Sequence, residues 1–173
     1  MDIYYTIEEK YLQAVDELNY GESPKALQLL NEIVSNDPAY ARAHYQLGLL
    51  YYYKIGEYQA AGYHFKLCAE LEPSYPDVYF HYLKLIVFLN KGNLVNTVAQ
   101  TALKTPGVNH ASINYLLGLH AEKNSEWRNA LNYYNIALAN AVTKKEHEYI
   151  DEGIERTNAK RDKLERYKYQ FSS

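Results

Sequence analysis

Apolar positions recur along the chain in steps of three and four residues, and short Gly- or Pro-bearing segments interrupt them. Leu47, Leu50 and Tyr51 follow such steps, Gly56-Glu57 breaks them, and Tyr58, Ala61, Phe65, Cys68 and Leu71 resume them. This is the period of an amphipathic helix. Pro38 and Pro73 each stop a second helix, because proline lacks the N–H that would continue it. Ser23-Pro24 reads as a start signal, with Ser23 as N-cap and Pro24 at the first helical position. The pattern predicts helices over residues 7–20, 24–36, 41–54, 58–72, 76–90, 93–105, 111–123 and 126–141, then a charged helix over 144–169.

The pattern repeats. Ala26, Leu30, Ile33 and Pro38 return 35 residues later as Ala61, Phe65, Cys68 and Pro73. Ala61, Phe65 and Cys68 return 69 residues on as Ala130, Tyr134 and Ala137. Leu47-Gly48 returns as Leu117-Gly118 at a spacing of 70, and Ala14 precedes Gly48 by 34. One extra residue near Ile55, between the two helices of the second unit, accounts for all of these offsets. A glycine inside a helix costs about 1 kcal/mol relative to alanine, so Gly48 and Gly118 imply another backbone packed close against them. Ala26, Ala61 and Ala130 fit the same role from the opposing helix, with Phe65 or Tyr134 filling the adjacent larger hole.

Leu47-Gly48, Tyr51, Gly56, Tyr58, Ala61, Phe65, Cys68 and Pro73, with Leu117-Gly118, Ala121, Trp127, Ala130, Tyr134 and Ala137, resemble the tetratricopeptide repeat (TPR), a helical hairpin of about 34 residues. The first unit has Lys10 where an aromatic is usual. The third departs most, with Leu83 or Lys84 at the Gly position and Thr97 or Val98 at the small position of its second helix. The resemblance implies an all-α fold, a right-handed α-α superhelix. It implies a single domain over 1–173, with units of about 7–40, 41–75, 76–110 and 111–142 and a capping helix at about 144–169. Ile150, Ile154, Thr157, Arg161 and Leu164 form the thin apolar stripe of that cap.

Composition narrows the function. Lys+Arg number 18 and Asp+Glu 21, a net charge of -3, which does not suit phosphate neutralisation and argues against nucleic-acid binding. Leu85-Ile86-Val87-Phe88-Leu89 is far short of the ~20 apolar residues of a membrane span. A lone cysteine, Cys68, and the absence of a secretory signal imply a reducing, cytoplasmic setting. No phosphate-binding glycine loop, zinc motif or nucleophile elbow occurs. Cys68 reads as an inert core thiol. His44, His64, His81, His110, His120 and His147 show no metal-ligand spacing on one helix face. The expectation is a non-enzyme with no catalytic or metal residues and no cofactor.

Tyrosine is abundant, 20 residues against 4 Phe, and tyrosine suits interfaces because it offers a large, stiff ring with a polar tip. In the resemblance, the first helix of each unit lines a concave groove. The expected groove residues are Tyr11, Arg42, Tyr45, Leu49, Tyr52, Tyr53, Lys84, Phe88, Tyr115 and Leu119, with Val15, Phe80 or His81, Glu122 and Lys123 beside them. Few of these are basic, so a clamp for a terminal carboxylate is not implied. The leading expectation is an adaptor or scaffold that binds a protein partner, as a peptide or a helix, and neither nucleic acid nor membrane. The alternatives are a self-assembling structural protein (a homodimer, the homo-oligomer reading) and a small bacterial secretion-type chaperone.

Overall fold

The computed structural model describes residues 6–171, with side chains described as far as Leu164. Its elements are α1 (Ile7–Tyr20), α2 (Ser23–Asn36), α3 (Ala41–Leu50), α4 (Tyr58–Leu71), α5 (Pro76–Phe88), α6 (Gly92–Lys104), α7 (His110–Lys123), α8 (Trp127–Asn140) and α9 (Lys144–Phe171). No strand occurs among the described residues. The chain forms two compact units, one up to Leu85 and one from Ile86.

Local chemistry sets the helix ends. Thr6 and Glu9 form a capping box at the start of α1: the Glu9 amide donates to Thr6 Oγ1 at 3.2 Å, and the Thr6 amide donates to Glu9 Oε2 at 2.7 Å. The start of α2 differs from expectation. Ser23 is the first helical residue, the N-cap is Glu22, and no side chain caps it, so the pre-set φ of Pro24 is what favours helix there.

The extra residue of the second unit is taken up as a π-helical turn, Tyr51–Ile55, closing α3. The Gly56 amide donates to the Tyr51 carbonyl at 2.8 Å, five residues back. Gly56 lies in the left-handed region (φ 83), where glycine carries no steric cost. The α7–α8 turn uses Ser125 (φ 61) for the same reversal, with one residue fewer between its left-handed residue and the matching carbonyl of Ala121.

Turn geometry also fixes the frame of the third unit. Asn90 (φ 53) is the left-handed residue there, 35 before Ser125. That register places Leu83 at the Gly position, and Val95 and Ala99 at the positions of Ala130 and Tyr134, so neither Thr97 nor Val98 is the small residue. Leu83, Val95 and Ala99 are all buried.

In the first unit the core is built from Tyr11, Ala14, Leu30, Ile33, Ala43 and Leu47. Lys10, at the site expected to be aromatic, reaches across to α2 and pairs with Glu32 at 3.1 Å. In the compact unit from Ile86 the core between α7, α8 and α9 contains Ala121, Ala130, Tyr134, Ala137 and Ile150. The glycines are not explained by backbone contact, as expected, but by aromatic rings. A Cβ on Gly48 would stand 2.5 Å from Phe65 ring carbons, and one on Gly118 would stand 2.6 Å from those of Tyr134. Ring size on the second helix is therefore matched by a missing side chain on the first.

The ninth helix packs on α8 and α7. Ile150, Gly153 and Thr157 are buried, Ile154 and Arg161 are half-buried, and Leu164 is exposed. Gly153 lies 35 residues after Gly118 and approaches the same Tyr134 ring, a Cβ there standing 3.1 Å away. The side chains of residues 165–169 of the expected cap lie outside the described ones. Among the described residues, no helix is long and apolar enough to cross a membrane.

Candidate functional site

The first compact unit gathers aromatic side chains from α3, its π-turn and the start of α5. Tyr45 lies edge-on to Tyr75 (5.2 Å between centroids) and tilted to His81 (5.9 Å). His81 stands perpendicular to Tyr53 at 5.6 Å and stacks on Phe65 at 6.3 Å. Tyr52 packs on Tyr53 at 4.5 Å and on Tyr58 at 5.9 Å.

Two hydrogen bonds orient this surface. Lys84 Nζ donates to the Tyr53 hydroxyl at 3.3 Å, and that hydroxyl lies 2.9 Å from His81 Nδ1. An ammonium can only donate, so the Tyr53 oxygen accepts from Lys84, while the tautomer of His81 sets which partner donates in the second bond. Burial, and then the nearby Lys84 charge, hold His81 down to about 4 against a smaller opposing effect of Asp77, so its ring is neutral. The Lys84 ammonium also faces the Tyr53 ring at 5.1 Å and the Phe80 ring at 5.9 Å.

The expected groove residues of this unit fall into two groups. Tyr11 and Tyr45 are packed into the core, 7% and 9% exposed. Arg42 is half-buried over the Tyr11 ring (4.8 Å) and the Tyr40 ring (5.2 Å), ion-paired with Glu8, and donates to the Tyr40 hydroxyl at 2.6 Å. Leu49, Tyr52 and Lys84 are half-buried, and Tyr53 is 48% exposed. Tyr52, Tyr53 and Lys84 are thus the expected residues that meet solvent as part of one aromatic cluster.

In the second unit the expected positions are used differently. Phe88 is 52% exposed, and Lys123 lies over its ring at 5.8 Å while donating to the Val87 carbonyl at 3.0 Å. Tyr115 is half-buried between Tyr134 (5.6 Å) and Tyr149 of α9 (4.6 Å), and Leu119 packs on the same core. Glu122, expected at the surface, is 5% exposed. Arg156 donates to both its oxygens at 2.8 Å, Lys160 donates at 2.7 Å, and the Tyr134 hydroxyl donates at 2.7 Å. Burial alone would raise the Glu122 carboxyl, but these hydrogen bonds outweigh it and bring it to about 2.

One contact escaped the sequence pattern. His44 on α3 and His64 on α4 share an Nδ1···Nδ1 contact of 2.9 Å, and His44 Nε2 lies 2.9 Å from the Pro38 carbonyl. A carbonyl only accepts, so His44 donates from Nε2 to Pro38. Burial and the neighbouring His44 hold His64 down to about 4. The two histidines are 20 residues apart on different helices, which a search along one helix face does not reach. Cys68 is buried, and burial pushes its thiol up to about 12, so it carries no thiolate near neutral pH. Among the described residues no group of three metal-ligating side chains converges.

No protein-family model matches the chain, and no curated protein sequence does. Its fold, however, matches solved structures. It is similar to the MamA RS-1 ArsTM double mutant (TM-score 0.76, 17% identity, covering 96% of this chain and 90% of that one). It is also similar to PilW, a widely conserved type IV pilus biogenesis factor (TM-score 0.68, 14% identity, 91% and 80% covered). MamA 41-end from Desulfovibrio magneticus RS-1 gives a TM-score of 0.68 at 18% identity over 93% and 96%. MamA and PilW are TPR-like proteins. This chain has the TPR fold, an all-α solenoid of helical hairpins. The Gly48–Phe65 and Gly118–Tyr134 contacts are the repeat positions that carry the resemblance in sequence, now seen packed together.

Proposed function

We propose that this TPR-fold protein is a non-enzymatic interaction scaffold that holds a protein partner, as a peptide or an amphipathic helix, on the aromatic surface of α3, its π-turn and α5. The observation that carries this reading is the ordering of Tyr53. Its ring is about half exposed, yet the hydroxyl is bonded to His81 and Lys84 and the ring is packed on Tyr52. An exposed aromatic fixed before binding loses little freedom when a ligand arrives. π-turns inside helices are frequent at functional positions, and here the turn carries both Tyr52 and Tyr53. The buried, inert Cys68 thiol fits a binding role in a reducing, cytoplasmic setting. A phage-displayed random peptide library panned on wild type and on Tyr52→Ala/Tyr53→Ala tests it. Wild type is expected to retain a defined set of peptides that the double variant loses. Equal retention by both overturns the reading.

A further inference from the structure

Lys84 separates this surface from a purely apolar one. Every other cation up to Leu85 among the described residues has an anionic partner or is exposed. Arg42 is paired with Glu8, Lys10 with Glu32, and Lys25 with Glu17. Lys66 is paired with Glu70, and Lys54 is exposed on the π-turn. The Lys84 ammonium is half-buried over two rings, makes one hydrogen bond, to Tyr53, and has no carboxylate at salt-bridge distance among the described residues. An ammonium has three donors, so two N–H groups remain for a ligand. Rings lower the local dielectric and strengthen any charge that meets this one.

We infer that the surface recognises a peptide segment carrying one Asp or Glu side chain, set down on Lys84, between flat apolar residues such as Tyr, Phe or Pro that lie on Tyr52, Tyr53 and Phe80. This rests on the proposed partner-binding role of the same surface. The number of carboxylates is one for an electrostatic reason. Up to Leu85 the chain holds 12 Asp and Glu against 6 Lys and Arg, so no general field draws acidic chains in. Asp77 lies two helical turns before Lys84 on α5 and repels a second carboxylate from that direction. A side chain fits better than a chain terminus. The Tyr53 hydroxyl is already bonded to His81 and Lys84, leaving the ammonium as a single charged donor, and the two rings beside Lys84, Tyr53 and Phe80, offer contact to the residues flanking a side-chain carboxylate.

The test uses the full chain and the peptides selected from the same library. Peptides retained by wild type are expected to be enriched in a single Asp or Glu flanked by aromatic residues or Pro. Glu→Gln in a selected peptide should weaken binding to wild type at least tenfold, with amidation of its C-terminus having little effect. On Lys84→Met, which keeps the length and apolar stem of the side chain, the Glu and Gln peptides should bind within twofold of each other. Selected peptides without acidic enrichment, a Gln peptide that binds wild type equally well, or a loss that follows C-terminal amidation instead would each overturn the inference while leaving the aromatic reading in place. Retention no better than on Tyr52→Ala/Tyr53→Ala would remove both. Should Lys84→Met melt early, the Glu/Gln ratio on wild type at low and high salt decides alone. It must shrink as salt screens the pair, and a ratio near one at low salt overturns the assignment.

Discussion

The Tyr134 ring lies directly against the α-carbon of Gly118: a methyl group at residue 118 would stand 2.6 Å from two ring carbons. A methyl on Gly153 of α9 would stand 3.1 Å from the same ring. The ring is thus held between α7 and the helix that follows its own, and its hydroxyl reaches the buried Glu122.

Gly118→Ala is expected to destabilise the protein. Helix propensity alone would favour alanine by up to ~1 kcal/mol, but overpacking a site whose ring cannot retreat costs about 1–3 kcal/mol. Gly62→Ala should do the opposite. A Cβ there meets only Leu85 Cδ2 at 3.6 Å, ordinary contact distance, so a gain of ~0.5–1 kcal/mol is expected. Urea unfolding of both variants checks the opposite signs, and a Gly118→Ala protein more stable than wild type would contradict the packing argument.

Glu122→Gln should weaken the attachment of α9. It removes the anion shared by Arg156 and Lys160 while leaving two cations that are partly exposed and can rehydrate, so a loss of about 1–3 kcal/mol is expected, below that of a fully buried pair. Acid should act through the same group. Its folded pKa of about 2 lies below the ordinary glutamate value. Its stabilisation is therefore complete above pH ~4.5 and lost as pH falls from there toward 2. Thermal melts from pH 7 to pH 2 should show wild type losing stability in that window and Glu122→Gln losing less. Parallel curves for the two proteins would refute the assignment.

Deleting Ile55 should convert the π-turn to the shorter reversal used after α7. Helix content by circular dichroism is expected to persist, with the melting midpoint moving by no more than ~4 °C, equivalent to about 1 kcal/mol. Peptide retention should fall all the same, because the turn positions Tyr52 against Tyr58. A deletion variant that binds as wild type does would show that the extra residue serves only connection.

The hairpin order, the repeat spacing and the inserted residue were all legible in the sequence. Each depends on interactions a few residues apart: helical period, proline stops and glycine at a left-handed turn. The sequence marked Gly48 and Gly118 as sites of close packing but assigned the contact to a neighbouring backbone, whereas the Phe65 and Tyr134 rings fill it, because helical period gives the face of a side chain and not how far a ring reaches. The groove set was legible as a face and only partly as a surface. Helical spacing places Tyr45 and Tyr53 on the same helix run, but Tyr75 and His81 arrive from beyond α4 to bury the first while leaving the second about half exposed.

Tertiary structure alone decided the polar contacts. Glu122 looks like any surface glutamate in sequence, and it becomes a buried anion only because α9 brings Arg156 and Lys160 to it across 34 and 38 residues. The same holds for the His44–His64 pair and for Lys84, which has no carboxylate partner among the described residues. Helix period is written locally in backbone sterics, whereas the partner of a charge depends on which distant side chains packing brings within about 3 Å.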